Sequence, residues 1–172
     1  MSKKPRAPYP PDLDEAQEPS LELGDLVDAV VKDADWANQR PPRLALKRVE
    51  VRRTRLTGAE LREATLTDVV FHDCRLDLTT FRFAKLERVV FRDCLMTECD
   101  FYEASIKDVL FERCNLRESV LSSTKIERVE LRGCELDALQ GIEALRTARM
   151  TWNDVLSAAP LFAQALGIEI VD

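Results

Sequence analysis

The sequence is poor in the residues from which catalytic and metal centres are usually built. Its 172 residues include one histidine, five glycines, two tryptophans and two tyrosines. A single histidine cannot supply the imidazole set of a typical zinc site, and five glycines leave little material for a phosphate-binding loop. No Ser/His/Asp set or inward carboxylate pair is recognisable either. We therefore expect no enzyme activity, no cofactor and no bound metal.

The chain also lacks a long apolar run and an excess of positive charge. No stretch approaches the ~18 apolar residues of a membrane span, and Lys3, Lys4 and Arg6 are not followed by the apolar region of a secretory signal. A net charge of −6, from 31 acidic residues against 25 lysines and arginines, argues against general nucleic-acid binding. These absences predict a cytoplasmic protein that binds neither membranes nor nucleic acids directly.

What the sequence does contain is a five-residue repeat, continuous from Ala59 to Leu136. A small residue is followed two positions later by a bulky apolar one, and a longer period of twenty is superimposed. Helices repeat at 3.6 residues and strands at 2, so neither explains a period of five. Such a period fits a solenoid whose coils have four short sides and stack at about 4.8 Å. The bulky positions are Leu61, Leu66, Phe71, Leu76, Phe81, Leu86, Phe91, Met96, Phe101, Ile106, Phe111, Leu116, Leu121, Ile126, Leu131 and Leu136.

Several of these repeats resemble the A(D/N)LXX signature of the pentapeptide-repeat family. They include Ala64-Thr65-Leu66, Ala84-Lys85-Leu86, Cys94-Leu95-Met96 and Ala104-Ser105-Ile106. Each match is short, but more than fifteen consecutive copies are in phase, over about residues 44–137. The resemblance implies a right-handed quadrilateral β-helix. It also implies a function to consider, since quinolone-resistance members of the family bind DNA gyrase by presenting a duplex-like charged rod.

Two segments precede the clearest part of the repeat. Residues 1–20 are proline-rich and polar, which predicts a disordered arm, with a peptide docked elsewhere as the alternative. We assign residues 21–137 to the β-helix, in which residues 21–43 form either an irregular first coil or a short amphipathic helix. The coil is favoured because Leu26, Val31 and Trp36 keep the five-residue phase.

Residues 138–172 are predicted to close the solenoid with a distorted last coil, a helical cap and a terminal strand. The phase fails after Leu136, where Gly141 and Arg146 occupy bulky positions. A helical pattern follows Thr151, and residues 168–171 are typical of a short strand. The apolar residues expected to pack on the open end are Val155, Leu156, Leu161, Phe162 and Leu166.

The cysteines fit the core better than a metal or redox site. Four of them recur every twenty residues at a small position (Cys74, Cys94, Cys114 and Cys134), with Cys99 on an adjacent side. The C-x₂-C spacing of zinc sites is absent, and cysteine is small and readily buried. His72 follows a bulky position and is expected to face outward.

The outward positions predict three surfaces. The first is a charge ladder of alternating sign, Arg48, Asp68, Arg88, Asp108 and Arg128, which we interpret as structural. The second is an apolar stripe of Val70, Val90 and Leu110, which indicates either a face-to-face homodimer or cover by the N-terminal arm or residues 21–42. The third is a corner patch, which resembles a protein-binding surface. It consists of Leu78, Phe83, Leu95, Glu98, Asp100, Glu103 and Glu118.

Together these features predict a non-enzymatic scaffold or protein-interaction module that acts through the outer faces of a β-helical rod. Its partner is expected to be another protein, and a second copy of the chain is one of the alternatives. A DNA mimic that binds an enzyme such as gyrase is the alternative function. Rows of alternating sign favour it less, because they cancel the field that mimicry of a duplex requires.

Overall fold

The computed structural model describes residues 3–12 and 24–171, and its main element is a single parallel sheet. The sheet contains seven strands, which lie side by side in chain order. They are β1 (Leu26–Lys32), β2 (Ala45–Arg52), β3 (Thr65–His72), β4 (Lys85–Arg92), β5 (Ser105–Glu112), β6 (Lys125–Arg132) and β7 (Arg149–Met150). A 3₁₀ helix (Ile142–Thr147) precedes β7, and helices α1 (Trp152–Ser157) and α2 (Ala159–Ala165) follow it. The predicted all-β solenoid with a C-terminal helical cap is confirmed.

Neighbouring strands pair at an offset of twenty residues. Leu66 lies opposite Leu86, and Phe71 lies opposite Phe91. The same offset relates all strand pairs from β1 to β6. Isolated bridges, such as that between Thr80 and Asp100, continue this offset outside the strands. Each coil therefore stacks on the next in the register that the period of twenty predicted.

The chain turns every five residues at a corner with left-handed backbone geometry. In one coil the corner residues are Asp68, Asp73, Leu78 and Phe83, with φ values of 58°, 54°, 59° and 62°. A left-handed conformation costs an L-residue about 1–2 kcal/mol. The corner N–H groups bond to the next coil, for example from Leu78 to the Thr97 carbonyl at 2.9 Å. Because these bonds need a stacked neighbour, each coil stabilises the corners of the one beside it.

The bulky rows fill the interior with two columns of stacked aromatic rings. The ring centroids of Phe71, Phe91 and Phe111 are separated by 5.0 and 5.1 Å, and those of Phe81 and Phe101 by 4.9 Å. Edge-to-face contacts at 6.2 Å join the two columns. The small residues two positions earlier are buried as well. Both inward rows predicted from the sequence therefore form the core.

Residues 24–43 form a first coil and no helix. Strand β1 pairs with β2 in the common register, with Val31 opposite Val51. Trp36 and Pro41 are buried at the next two bulky positions. Of the two predicted alternatives for this segment, a coil or a helix, the structure therefore shows the coil. The coil buries these side chains against the second coil. Residues 21–23 lie outside the described residues.

The repeat ends at Gly141, where the backbone turns with φ of 74°. The 3₁₀ helix that follows buries Ile142 and Leu145. Thr151 then caps α1, since its hydroxyl accepts from the Asp154 N–H while the Asp154 carboxylate accepts from the Thr151 N–H. Pro160 lies in the first turn of α2, where its missing N–H costs nothing.

Two features of the cap differ from the prediction. Val155, Leu161 and Phe162 are half-buried, but Leu156 is 55% exposed and Leu166 is 76% exposed. Both helices have fewer than eight residues and cover the open end with one side only. Residues 168–171 form no strand, and the edge of β6 pairs instead with β7, at Glu130 and Leu131. No helix among residues 3–12 and 24–171 has the length and apolarity needed to cross a membrane.

Candidate protein-interaction surfaces

The outward charge ladder is built from arginine–aspartate pairs that join neighbouring coils. Arg88 binds Asp68 through Nε to Oδ1 at 2.6 Å and Nη2 to Oδ2 at 3.0 Å. Arg128 binds Asp108 in the same way, at 2.6 and 2.8 Å, and Arg48 pairs with Asp28. Each arginine thus reaches the aspartate of the preceding coil, and the aspartates recur once in every two coils.

Residues 3–12 run across the outer face of the sheet, from the side of β5 and β6 toward β1. Three backbone N–H groups of this arm, three residues apart, donate to three ladder aspartates, two coils apart. The donors are Arg6, Tyr9 and Asp12, and the matching acceptors are Asp108 at 3.1 Å, Asp68 at 3.1 Å and Asp28 at 3.3 Å. The arm is therefore held by backbone contacts that repeat in step with the coils.

This placement of the arm corrects the prediction of disorder for the residues that the structure describes. Composition alone predicted a disordered arm over residues 1–20, whereas residues 3–12 lie along the sheet. Four prolines in this segment restrict the backbone before it docks, which lowers the entropic cost of ordering. Charged acceptors for the arm N–H groups supply the opposing gain. Residues 1–2 and 13–20 lie outside the described residues.

The arm lies over the apolar stripe of Val70, Val90 and Leu110. These three residues and arm residues 4–8 line a common cleft of about 300 Å³, whose rim carries Arg92 and Arg132. All three stripe side chains are half-buried. The position of arm residues 4–8 on the same cleft favours cover by the N-terminal arm, one of the alternatives for this stripe. A homodimer through the same stripe would require the arm to leave it.

The ladder aspartates beneath the arm remain ionised at neutral pH. The hydrogen bond from Arg128 lowers the pKa of Asp108 below its ordinary 3.8, against the opposing effect of burial. Burial raises the pKa of Asp68, but hydrogen bonds from Arg88 and from the Tyr9 N–H lower it by more, so it also lies below 3.8. A carboxylate whose pKa is lower in the folded state stabilises the fold at pH values above its unfolded pKa. That stabilisation is lost only as the pH falls through the folded pKa. The arm therefore keeps its charged acceptors throughout the neutral range.

The corner patch lies mainly on one side of the solenoid. Leu78 and Phe83 are 54% and 38% exposed, and Glu98, Glu103 and Glu118 are exposed beside them. Asp100 lies between the two corners and is half-buried, while Leu95 lies on the adjoining side. Asp100 accepts a hydrogen bond from the Tyr102 N–H at 2.8 Å. The structure thus brings six of the seven predicted residues to one side.

The centre of the corner patch is an aromatic and arginine cluster. The Phe83 ring meets the Tyr102 ring edge to face at 6.2 Å. Guanidinium carbons of Arg62 and Arg82 lie 5.8 and 5.9 Å from the Phe83 centroid, and that of Arg82 lies 4.7 Å from the Tyr102 centroid. A hydrogen bond with Glu103 raises the pKa of Tyr102. These contacts hold the exposed Phe83 ring and the half-buried Tyr102 ring in a fixed arrangement.

Sequence reasoning did not include Arg62, Arg82 and Tyr102 in this patch. The signal was present, because the three residues are twenty apart and therefore stack in one outward row beside Phe83. Their presence changes the character of the surface. It is a mixed aromatic, arginine and glutamate surface rather than an acidic and apolar one.

The thiols and hydroxyls of the inward rows have structural roles. All five cysteines are free and buried, and each Sγ lies 3.0 to 3.6 Å from a carbonyl oxygen 23 residues earlier in the chain. The inward hydroxyls of Thr79, Ser119 and Thr124 make the same contact at 2.8 Å. Burial raises the pKa of Cys99. These groups satisfy the backbone of the preceding coil, so they are poor candidates for nucleophiles or metal ligands.

The single histidine lies in a surface ion cluster. Ligand atoms of His72, Asp73 and Asp93 lie within 4.8 Å of one another. However, Asp93 binds Arg113 through both carboxylate oxygens, at 2.6 and 2.9 Å. A guanidinium on one of the ligands opposes a second cation at the same place. The cluster therefore fits a surface ion network better than a metal site.

Comparison with known proteins supports the assignment of the fold. A family model described as pentapeptide repeat region matches residues 44–121 and 64–141, which together span more than half of the chain. No curated protein matches the sequence significantly. Among solved structures, full-length QnrB1, a plasmid-mediated fluoroquinolone resistance protein, is 13% identical over 81% of this chain and 100% of its own, with a TM-score of 0.36.

Two similar structures come from cyanobacteria. HetL, a pentapeptide repeat protein involved in heterocyst differentiation regulation in Nostoc sp. strain PCC 7120, is 15% identical over 73% of this chain and 69% of its own, with a TM-score of 0.28. A pentapeptide repeat protein of Cyanothece 51142 is 15% identical over 71% and 84%, with a TM-score of 0.26. These values are too low for a function to be transferred.

Proposed function

This chain belongs to the pentapeptide repeat family, and from its outer surfaces we propose that it is a non-enzymatic protein-interaction module. The corner patch, with Arg62, Arg82 and Tyr102, is the surface that binds the partner protein. One observation carries the proposal, which is the exposed Phe83 ring in contact with two guanidinium groups and a second aromatic ring.

The composition of this surface supports a protein partner. Aromatic residues and arginine are enriched in the centres of protein–protein interfaces, where a few of them supply most of the binding free energy. The rings are already fixed by one another and by Arg82, so binding costs little side-chain entropy. Glu98, Glu103 and Glu118 surround the cluster as a charged rim, which favours a partner with basic side chains at its own rim.

The experiment compares proteins bound by the immobilised full chain and by its Phe83→Ala and Arg82→Ala variants. Loss of a central aromatic or arginine costs about 2 kcal/mol or more, which corresponds to a roughly 30-fold weaker complex. We expect quantitative mass spectrometry to show one set of proteins that binds the wild-type chain and binds less to both variants. In a titration, the affinity of each variant for these proteins should fall by that factor.

The control variant is Trp152→Ala, because Trp152 is also a large aromatic residue and is 73% exposed, but it lies on the C-terminal cap. We expect the same set of proteins to bind this variant normally. If Trp152→Ala removed them while Phe83→Ala and Arg82→Ala did not, the cap rather than the corner patch would be the binding surface.

A second candidate function is mimicry of DNA toward an enzyme such as gyrase. The observation that favours it is the net charge of −6 on a rod, together with glutamates stacked in consecutive coils at Glu98 and Glu118. The arginine–aspartate pairs of the ladder oppose it, because they neutralise the acidic rows on the sheet side. We therefore rank this function second.

DNA supercoiling by gyrase tests the second candidate directly. With the full chain added at micromolar concentration, we expect supercoiling and its inhibition by a fluoroquinolone to remain unchanged. Inhibition or protection that disappears in a Glu98→Lys and Glu118→Lys double variant would instead establish mimicry and displace our first proposal.

A further inference from the structure

We propose that the outer face of the sheet is a receptor groove for polyproline II segments with proline at every third position. In this structure the groove is occupied by the chain's own arm, residues 3–12. A proline-rich segment of another protein would bind by replacing the arm. We refer to this site as the arm groove, and its residues are Asp28, Asp68, Asp108, Val70, Val90 and Leu110.

The repeat distance along the arm matches the repeat distance along the groove. A polyproline II helix has three residues per turn and advances about 9.3 Å over them. Two stacked coils advance about 9.6 Å at the spacing of parallel strands. The arm donates from every third residue, and the ladder offers an aspartate in every second coil. An extended β-strand advances about 10 Å over three residues and presents its side chains alternately, so it matches less well.

Prolines recur along the arm at the positions that are partly buried against the groove. Pro5, Pro8 and Pro11 precede the three donors, and these prolines are the half-buried residues of the arm. Residues at the other two positions of each triplet are exposed, including Arg6 and Tyr9. The groove therefore contacts one edge of a three-sided helix, and every third residue is proline.

The acceptor carboxylates of the groove are buried and held in fixed orientations. Asp108 is 1% exposed and Asp68 is 5% exposed, and each carboxylate is oriented by a two-point contact with an arginine. The arginine of the middle pair, Arg88, also lies 5.8 Å from the centroid of the Tyr9 ring. The apolar stripe supplies the surface against which proline rings pack, as in other grooves that recognise proline-rich segments.

The same contacts explain why the arm would compete with a partner. A tethered segment is present at an effective concentration in the millimolar range, so it suppresses binding of a free peptide with the same contacts. Weakening the arm without altering the groove should therefore expose the site. The arm offers a way to do so, because proline in place of a donor removes one N–H and preserves the polyproline II backbone.

The test uses the full chain carrying Arg6→Pro and Tyr9→Pro together, which removes two of the three donors. The probe is a fluorescein-labelled peptide with the sequence of residues 3–12, and binding is measured by fluorescence anisotropy. We expect the variant to bind the peptide at least about tenfold more tightly than the wild-type chain. The matched control, Arg6→Ala with Tyr9→Ala, loses the same side chains but keeps both N–H groups, and it should resemble the wild type.

Two further measurements decide whether the groove is the site of binding. In the wild-type chain, the amide hydrogens of Arg6 and Tyr9 should exchange more slowly than those of Lys4 and Ala7. Adding Val90→Ser to the double proline variant should weaken peptide binding again. Equal binding of a peptide with the same composition but without proline at every third position would overturn the proposal. So would a double proline variant that binds no peptide, or one that forms dimers by exchanging arms and leaves the peptide free.

Discussion

Replacing Phe91 with alanine is expected to lower the free energy of unfolding by about 3–5 kcal/mol. The Phe91 ring stacks on Phe71 at 5.0 Å and on Phe111 at 5.1 Å, and it meets Phe81 edge to face at 6.2 Å. It is fully buried in a middle coil. The coils above and below hold their own rings in register, so they cannot fill the cavity without breaking their stacks. Urea denaturation followed by circular dichroism measures the loss.

The matched control for this substitution is Phe83→Ala. Phe83 has the same side chain, but it lies at a corner and is 38% exposed. We expect this variant to lose about 1 kcal/mol or less, since only its ring contacts with Tyr102 and two arginines are removed. Equal losses of unfolding free energy at the two positions would show that ring stacking in the columns stabilises the fold no more than the contacts of a corner ring do.

The second large effect is expected at Gly141, where alanine should lower the free energy of unfolding by about 2–4 kcal/mol. Part of the loss, about 1 kcal/mol, comes from placing a side chain at φ of 74°. The larger part comes from overpacking, because an added Cβ would lie 2.7 Å from the Leu121 carbonyl carbon and the Ser122 Cα. Both atoms belong to the backbone of the preceding coil and cannot turn aside. Urea denaturation again provides the measurement.

Gly133→Ala separates the two parts of this loss. Gly133 also has a positive φ, of 61°, but the nearest atom to an added Cβ is the Arg113 Cγ at an ordinary 3.6 Å. We expect a loss of about 1 kcal/mol at this position. If Gly141→Ala cost no more than Gly133→Ala, the last coil would be shifting away from its neighbour, and its close approach would not be needed for the cap.

The core and the strand register could be predicted from the sequence because both follow from one short period. In a coil of four sides, a bulky residue at every fifth position points inward on each side. An offset of twenty then aligns Phe71 with Phe91 and Leu66 with Leu86. The same five-residue period also predicted the first coil. The cap was predicted less well, since the burial of Leu156 and Leu166 depends on how two short helices lie on the solenoid, which no period determines.

Cover of the apolar stripe by the arm was one of the predicted alternatives, but the backbone contacts that dock residues 3–12 were not predicted, although their signal is present in the sequence. Proline-rich composition predicts disorder, but composition does not record the spacing of the prolines. Pro5, Pro8 and Pro11 recur every three residues, while Asp28, Asp68 and Asp108 recur every forty. The two intervals correspond only when they are converted into distances. Three residues of a polyproline II helix advance about 9.3 Å, and two stacked coils advance about 9.6 Å. The corner patch was predicted only in part, because acidic and apolar residues define it in the sequence, whereas Arg62, Arg82 and Tyr102 join it by stacking in the row beside Phe83.

The alternation of the ladder sets the unit in which this solenoid can change length. The inward rows repeat every coil, so the core would tolerate the gain or loss of a single one. The outer face would not, because removal of residues 85–104 would place Asp108 directly beside Asp68 and leave no arginine between the two carboxylates. The spacing of the arm acceptors would also halve, from two coils to one. Between Asp28 and Arg128, a variant that keeps its arm in place can therefore gain or lose coils only in pairs.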